Sequence, residues 1–369
     1  MLKDVSLILK KIAYKENLTV EEARKALNTI GGEDIITDPN NSDGLYFLAL
    51  TFGIMAKGPT SDELYGFVLS LSDNSIKFNP KIKPDRITDI SGSGGDSIKT
   101  FNIGTTASFV IAAAGVAVAK QAARAFTGVT GSVDIFRELG VDFLNERDPL
   151  RVESCLEKVG IAAFYTPAFT KGFKNRVDFV TKLKAIGLTY PTPWHLVSWV
   201  YSPVKMGSRV YGVFSEKYLM VLAELFIKLG YKRGMVVHGV DGIDELSVVG
   251  PTKIAEFNNG KISEYTIEPK DVGLKRYSID KIMGGSADEN KIDFFRILYG
   301  VEKGAKRDMV VLNAAASLYS AGKAANLKEG VRLADSMIKE GKSASKLEEF
   351  VAFMKAQESL EKWKQKAGI

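Results

Sequence analysis

The chain has 369 residues, of which 45% are hydrophobic, 25% charged and 10% aromatic. That globular mixture excludes disorder and a fibrous fold, and the length suits two domains or one large α/β domain with a smaller attachment, because a single core stops growing efficiently at this size. The net charge is +6, yet 50 basic residues are interleaved with 44 acidic ones, so the excess suits an anionic ligand and argues against a nucleic-acid partner.

The single cysteine, Cys155, can form no internal disulfide and fits a reducing cytoplasm. With His195 and His238 the only imidazoles, the composition argues against zinc. No run approaches the roughly 20 apolar residues of a membrane span. The opening MLKDVSLILKKIAYKEN mixes acids and bases too early for a secretory segment, so the expected location is cytoplasmic. Glutamine occurs only at Gln121, Gln357 and Gln365 among many Lys and Glu, which leans toward a thermophile.

In chain order, the first eighty or so residues read as helices. Thr19 with Glu22 forms a capping box ahead of VEEARKAL, and Thr60 with Glu63 repeats it ahead of a helix whose Leu64, Phe67, Val68 and Leu71 share one face. The linker NPKIKPD follows. The pattern then alternates: strand RITDIS, a glycine-rich turn, the small-residue helix FNIGTTASFVIAAAG, strand VAVA and helix SVDIFRELG. This is the βαβ grammar of a parallel sheet. IAAFY, RVYGVF and MVVHG could add strands, and TKIAEF and KISEYTI flank Asn259-Gly260, a hairpin signal. From Glu289 onward the chain is helical. The patch TYPTPWHLVSWVYSP carries Tyr190, Trp194, His195, Trp199 and Tyr201; it could line a pocket or form a packed connection.

Residues 92 to 100 read GSGGDSIKT between an expected strand and a helix expected to start near Thr100. Glycines allow close backbone approach, and free N–H groups at a helix start attract phosphate oxygens. The loop is neither a Walker A motif, since Ile98 precedes Lys99, nor a dinucleotide fingerprint, since Ser97 stands where a third glycine belongs. Lys120 and Arg124 follow the next strand, and TGVTGSVD offers a second glycine-hydroxyl turn opening a helix. Asp244 and Glu245, just beyond MVVHG, would repel a phosphate unless a hard cation lay between, so Mg²⁺ is implied if both face inward. Together these features suggest an oligophosphate site.

With those residues in view, the chain resembles the anthranilate phosphoribosyltransferase family, whose fold is shared by the pyrimidine nucleoside phosphorylases. The resemblance runs through DISGSGGDSIKTFNIGTTASFVIAAAGVAVAK, TGVTGSVDIFRELG, VVHGVDGIDELSVVGPTKIAE and GGSADENKIDFFRILYG in the same order. It implies a small all-helical domain over residues 1–80, joined by helices from about 170–200. It also implies a large α/β domain over 81–169 and 201–369, with a central, mostly parallel sheet surrounded by helices. A homodimer through the helical part and Mg²⁺-dependent binding of phosphoribosyl pyrophosphate between the domains are implied as well.

Carried over residue by residue, the resemblance makes Gly92, Gly94, Gly95 and Asp96 the pyrophosphate loop and Asn102 with Thr105 the helix start at the sugar phosphate. Lys120 and Ser132 become further phosphate contacts, Arg124 joins the substrate-binding set, Lys120 and Asp96 are the catalytic candidates, and Asp244 and Glu245 hold the metal. The acceptor half departs from the family. KQAAR replaces KHGNR, so Gln121 stands for a histidine and Ala123 for an asparagine. The family arginine that pairs with the anthranilate carboxylate has only Arg176, Lys182 or Lys184 near it, and Ser198-Trp199 replaces a Gly-Pro turn. Gly104 stands for a serine near the metal.

The expected activity is phosphoribosyl transfer to an aromatic or heterocyclic amine stacked on Trp194 or Trp199, with anthranilate, a step of tryptophan biosynthesis, as the family default. A nucleoside phosphorylase and a non-catalytic nucleic-acid-binding relative are the alternatives.

Overall fold

The computed structural model describes residues 2–30, 42–95, 98–124, 130–143, 147–171, 173, 179, 181–183, 185, 187–188 and 191–369. Four helices come first: α1 (Leu2–Ala13), α2 (Val20–Ile30), α3 (Ser42–Lys57) and α4 (Ser61–Asp73). The capping box that starts α4 forms as expected, with Glu63 N–H donating to Thr60 Oγ1 at 3.2 Å and Thr60 N–H to Glu63 Oε2 at 2.8 Å. Glu63 is fully buried, and its other oxygen accepts the Leu18 N–H at 2.9 Å. The cap thereby also ties α4 to the start of α2. Leu64, Phe67, Val68 and Leu71 are buried together, as their spacing requires.

The rest is built on a seven-stranded sheet of β1 (Ile87–Gly92), β2 (Ala117–Gln121), β3 (Ile161–Phe164), β4 (Ser208–Gly212), β5 (Arg233–Gly239), β6 (Thr252–Asn258) and β7 (Lys261–Ile267), in the order β3-β2-β1-β4-β5-β6-β7. Strands β1 to β5 pair parallel, and β6 and β7 run antiparallel. The β6–β7 hairpin turns at Asn259 and Gly260 with φ of 46° and 82°, the left-handed pair that an Asn-Gly turn supplies. The crossover from β1 to β2 is α5 (Ile103–Ala113), and α6 (Ser132–Glu138) and α7 (Pro149–Val159) connect β2 to β3. Helices Ala287–Leu298 and Ala305–Ser320 pack on α5. The fold is therefore the expected α/β arrangement with a mostly parallel sheet among helices.

Chain order leaves β1 with β2 on one side and β4 on the other, so the connections diverge at its carboxyl end. That switch point is where parallel sheets open a crevice for ligands. One boundary differs from expectation. The helix does not start at Thr100, which makes an isolated antiparallel bridge with Met283 and keeps the chain extended; Asn102 is the N-cap of α5 instead. Among the described residues no helix is long and apolar enough to cross a membrane.

Candidate active site

A cleft of about 180 Å³ opens at the carboxyl ends of β1 and β2. Of the residues singled out in the sequence, it brings together Gly92, Gly94, Asn102, Thr105, Lys120, Gln121, Ala123, Arg124, Ser132, Trp199, Asp244 and Glu245. Gly104 lines it too. Asp96 and Arg176 lie outside the described residues, as does Lys184, and Lys182 is exposed.

Glycines decide the local path. A Cβ on Gly92 would overlap the Asp244 carboxylate, and one on Gly212 would overlap the Asp244 backbone. The segment bearing Asp244 and Glu245 can therefore lie across the ends of β1 and β4 only because both strands end without a side chain. Gly94 and Gly95 have φ of 68° and 85°, a left-handed turn that brings Gly95 against Pro191, whose Cγ would sit 2.6 Å from an added Cβ. Gly95 thus packs on the aromatic patch rather than lining the cleft.

The sequence predicts loop amides free for phosphate. The structure corrects this in part: the Gly94 N–H donates to Asp244 Oδ2 at 2.7 Å and the Ser93 N–H to the Gly212 carbonyl at 2.8 Å. Asp244 is 7% exposed and also accepts from Ser93 Oγ at 3.4 Å. Burial pushes its carboxyl above the ordinary range, while the Gly94 and Ser93 bonds work the other way. In the free protein Asp244 thus satisfies an amide that a phosphate would otherwise claim.

Across the cleft, Asn102 caps α5 with its backbone and donates Nδ2–H to the Thr130 carbonyl at 3.1 Å. Its Oδ1 is buried without a hydrogen-bond partner. Lys120 is 4% exposed; its ammonium donates to the Ile90 carbonyl at 2.5 Å and lies 3.6 Å from Asp89 Oδ1. Burial lowers its pKa, and Asp89 opposes that. Ser132, expected as a phosphate contact, braces the turn instead: its Oγ accepts the Ala123 N–H at 2.7 Å and donates to the Ala123 carbonyl at 3.3 Å. Arg124 is exposed, its guanidinium 5.9 Å from the Tyr165 ring centroid.

On the acceptor side, Gln121 and Trp199 line the cleft but Trp194 does not. Trp194 is 2% exposed, stacks 4.8 Å from Phe47 and donates Nε1–H to Thr51 Oγ1 at 2.8 Å. Its ring is the anchor of the 193–196 turn against α3, so the expectation that it stacks on an acceptor is replaced by Trp199 alone. His195 is buried beside it, with Nδ1 accepting the Thr192 N–H at 3.0 Å; burial pulls its pKa down to about 4, opposed by the Thr192 carbonyl 3.3 Å from Nδ1. The imidazole is therefore neutral.

Two residues that the motifs do not flag organise this wall. Arg209 is fully buried on β4, in register with Asp89 on β1. Its Nη2 donates to Asp89 Oδ2 and Ser91 Oγ, both at 3.0 Å, to Gln121 Oε1 at 3.3 Å and to the Trp199 carbonyl at 2.6 Å. Its Nη1 donates to the Val200 carbonyl at 2.8 Å. The available signal was a lone charge of each sign within two apolar strand runs, ITDIS and SRVYGVF.

Among the described residues no group of three or more His, Cys, Asp or Glu could hold a metal. The Asp244–Glu245 pair supplies hard oxygens to the same cleft. Such a pair suits Mg²⁺ when phosphate oxygens and water complete the shell.

Comparison with known proteins agrees with this geometry. Residues 84–344 match the family described as glycosyl transferase family, a/b domain. The chain is 37% identical to the anthranilate phosphoribosyltransferase of Petrotoga mobilis over 345 residues, 94% of this chain and 95% of that protein. It is 39% identical to that of Methanococcoides burtonii over 305 residues, 83% of this chain and 84% of that one. The crystal structure of anthranilate phosphoribosyltransferase from Thermus thermophilus superposes with a TM-score of 0.83 at 33% identity, covering 95% of this chain and 99% of that chain. The Saccharomyces cerevisiae enzyme in complex with PRPP and Mg shares the fold with a TM-score of 0.82 at 22% identity, covering 95% of this chain and 98% of its own. With a glycine loop, a helix start and an acid pair meeting at one switch point, and with these relatives spanning nearly the whole chain, the protein belongs to the anthranilate phosphoribosyltransferase family and is a phosphoribosyltransferase of that type.

Proposed function

We propose that the chain transfers the phosphoribosyl group of phosphoribosyl pyrophosphate to the nitrogen of an aromatic or heterocyclic amine, releasing pyrophosphate, with anthranilate the family default and the acceptor site departing from it. The observation that carries the altered acceptor is the cleft wall of Gln121, Ala123 and Trp199. It offers an amide fixed by Arg209, a methyl group and a ring edge where the family's histidine, asparagine and Gly-Pro turn would stand.

Displacement at the anomeric carbon passes through a cationic sugar: the bond to the diphosphate oxygen breaks, and the amine lone pair forms the new C–N bond. The protein mainly holds the leaving diphosphate and positions the nucleophile. The start of α5 at Asn102 and Thr105 faces the phosphate, where helix N–H groups lack intrahelical partners. Lys120 donates to the Ile90 carbonyl and faces Asp89, and its positive charge in the cleft wall would stabilise a developing oxyanion. Mg²⁺ held by Asp244 and Glu245 would neutralise diphosphate charge. The amine sheds its proton after bond formation, so no strong base is required, which fits a cleft lined by no histidine among the described residues.

Homodimer formation through the helical part belongs to the same reading. Leu7 on α1, Tyr14 just after it and Leu45 on α3 are 63%, 70% and 66% exposed, apolar surface of the helical part that a partner copy would cover. Turnover with a panel of aromatic amines tests the acceptor: a heterocyclic or substituted amine should outperform anthranilate in kcat/KM, and ordinary anthranilate turnover refutes the altered acceptor.

A further inference from the structure

A second cavity, of about 690 Å³, lies at the amino ends of β1, β4 and β5, the opposite end of the sheet from the cleft. Its walls are α4, through Tyr65, Val68 and Leu69, the linker that leads into β1, through Phe78 and Asp85, and the segment 200–207 that leads into β4. Both linkers that join the first four helices to the sheet thus border one space. The size falls in the range of small-molecule sites, and a junction between structural layers is where such sites concentrate.

The chemistry of the walls is specific. Rings come from Tyr65, Phe78, Tyr201 and Tyr231, and charge from Lys77, Lys205 and Lys232 against a single carboxylate, Asp85. Lys232 is paired with Asp85 at 2.8 Å, which leaves two lysines in excess. Lys77 donates to the Ser72 carbonyl, to Ser72 Oγ at 2.6 Å and to the Tyr201 hydroxyl at 3.1 Å, its Nζ 5.1 Å from that ring centroid. Burial pulls the Lys77 ammonium below its ordinary value; Asp73 opposes this and the neighbouring Lys205 adds to it. Two cations that repel each other beside aromatic walls favour an anion that carries its own ring.

We propose that this cavity is a binding site for a small aromatic carboxylate, separate from the donor and acceptor positions of the cleft. The apolar part lies among the tyrosines and Phe78, and the carboxylate meets Lys205, with the Lys77 charge beside it. The site adjoins the acceptor wall through one side chain. Arg209 holds the Val200 carbonyl and the Tyr231 hydroxyl, at 2.8 and 3.5 Å, beside the cavity, and the Trp199 carbonyl and Gln121 beside the cleft.

Calorimetry on the full chain without phosphoribosyl pyrophosphate tests this, with 1-naphthoate as probe and inorganic phosphate as the non-aromatic anion. The expected result is saturable naphthoate binding that weakens about tenfold or more in Lys205→Glu, where an attraction becomes a repulsion. The same binding should be lost in Leu69→Trp, which narrows the cavity, and unchanged in Trp199→Ala. Lys205 is exposed, so its variant separates binding from folding. Absence of saturable naphthoate binding overturns the proposal. So does binding that survives both cavity variants but fails in Trp199→Ala, or phosphate binding as tightly as naphthoate.

Discussion

The two walls of the cleft are built by different means. The donor wall is backbone: glycines at 92 and 212 let the Asp244 segment lie on the strand ends, and a helix start supplies N–H groups. The acceptor wall is a side-chain network, in which one buried guanidinium fixes Gln121, the Trp199 carbonyl and Asp89. Gly92 and Gly212 tolerate little substitution, because a Cβ at either collides with the Asp244 carboxylate or main chain. A wall made by a network can be rewired residue by residue while its partners stay satisfied. This contrast fits the proposal that the chain keeps the donor half and alters the acceptor half at KQAAR and Ser198-Trp199.

The largest expected effect breaks the network. Arg209→Met leaves Asp89 buried with only Lys120 at 3.6 Å and should cost about 3–5 kcal/mol of stability in denaturant unfolding. Asp89→Asn in the same background should recover part of it, by removing the uncompensated charge. In the folded fraction, acceptor KM should rise more than donor affinity falls; an equal loss on both sides would erase the distinction between the walls.

A middle-sized effect concerns His195, which packs beside Gly95 with its pKa pulled down to about 4 from 6.5. Its unfolded form binds a proton that the native form refuses, so the stability it contributes is complete above pH 6.5 and is lost as the pH falls toward 4. The full window is worth at most about 3 kcal/mol. Comparing wild type with His195→Gln by denaturant unfolding should show a flatter profile in the variant across that window. Parallel profiles would mean that His195 titrates in the native state as it does in the unfolded chain.

The smallest effect sharpens the donor side. A Cβ at Gly104 would lie 3.4 Å from the Ile90 carbonyl and 3.9 Å from Glu245 Oε1, ordinary contacts. Gly104→Ser should shift stability by under about 0.5 kcal/mol and strengthen Mg²⁺-dependent donor binding by less than about tenfold, read by calorimetry. A large loss of affinity would show that the space beside Glu245 is already used by the donor.

Features specified by neighbours in sequence are legible without coordinates. Thr60 and Glu63 cap α4 three residues apart, and Asn259-Gly260 can turn only one way between two strands. The glycine loop, the α5 start and the acid pair are legible too, because each is a short signature that lands at a strand end. Features specified by register are not. Asp89 and Arg209 stand 120 residues apart and meet only because β4 pairs with β1. Trp194 and Trp199 look alike in one aromatic run, yet the turn at 193–196 sends the first into α3 and leaves the second at the cleft. The amide of Gly94 reads as free because nothing in GSGGD reveals that Asp244 folds back onto it.

The central claim is that the cleft between Asn102 and the Asp244–Glu245 pair binds the activated sugar with its metal. Calorimetric titration of phosphoribosyl pyrophosphate with and without Mg²⁺, into wild type and into Asp244→Asn/Glu245→Gln, tests it most directly. Saturable binding that requires Mg²⁺ and disappears in the double variant is the predicted result; equal donor affinity in both proteins would contradict it.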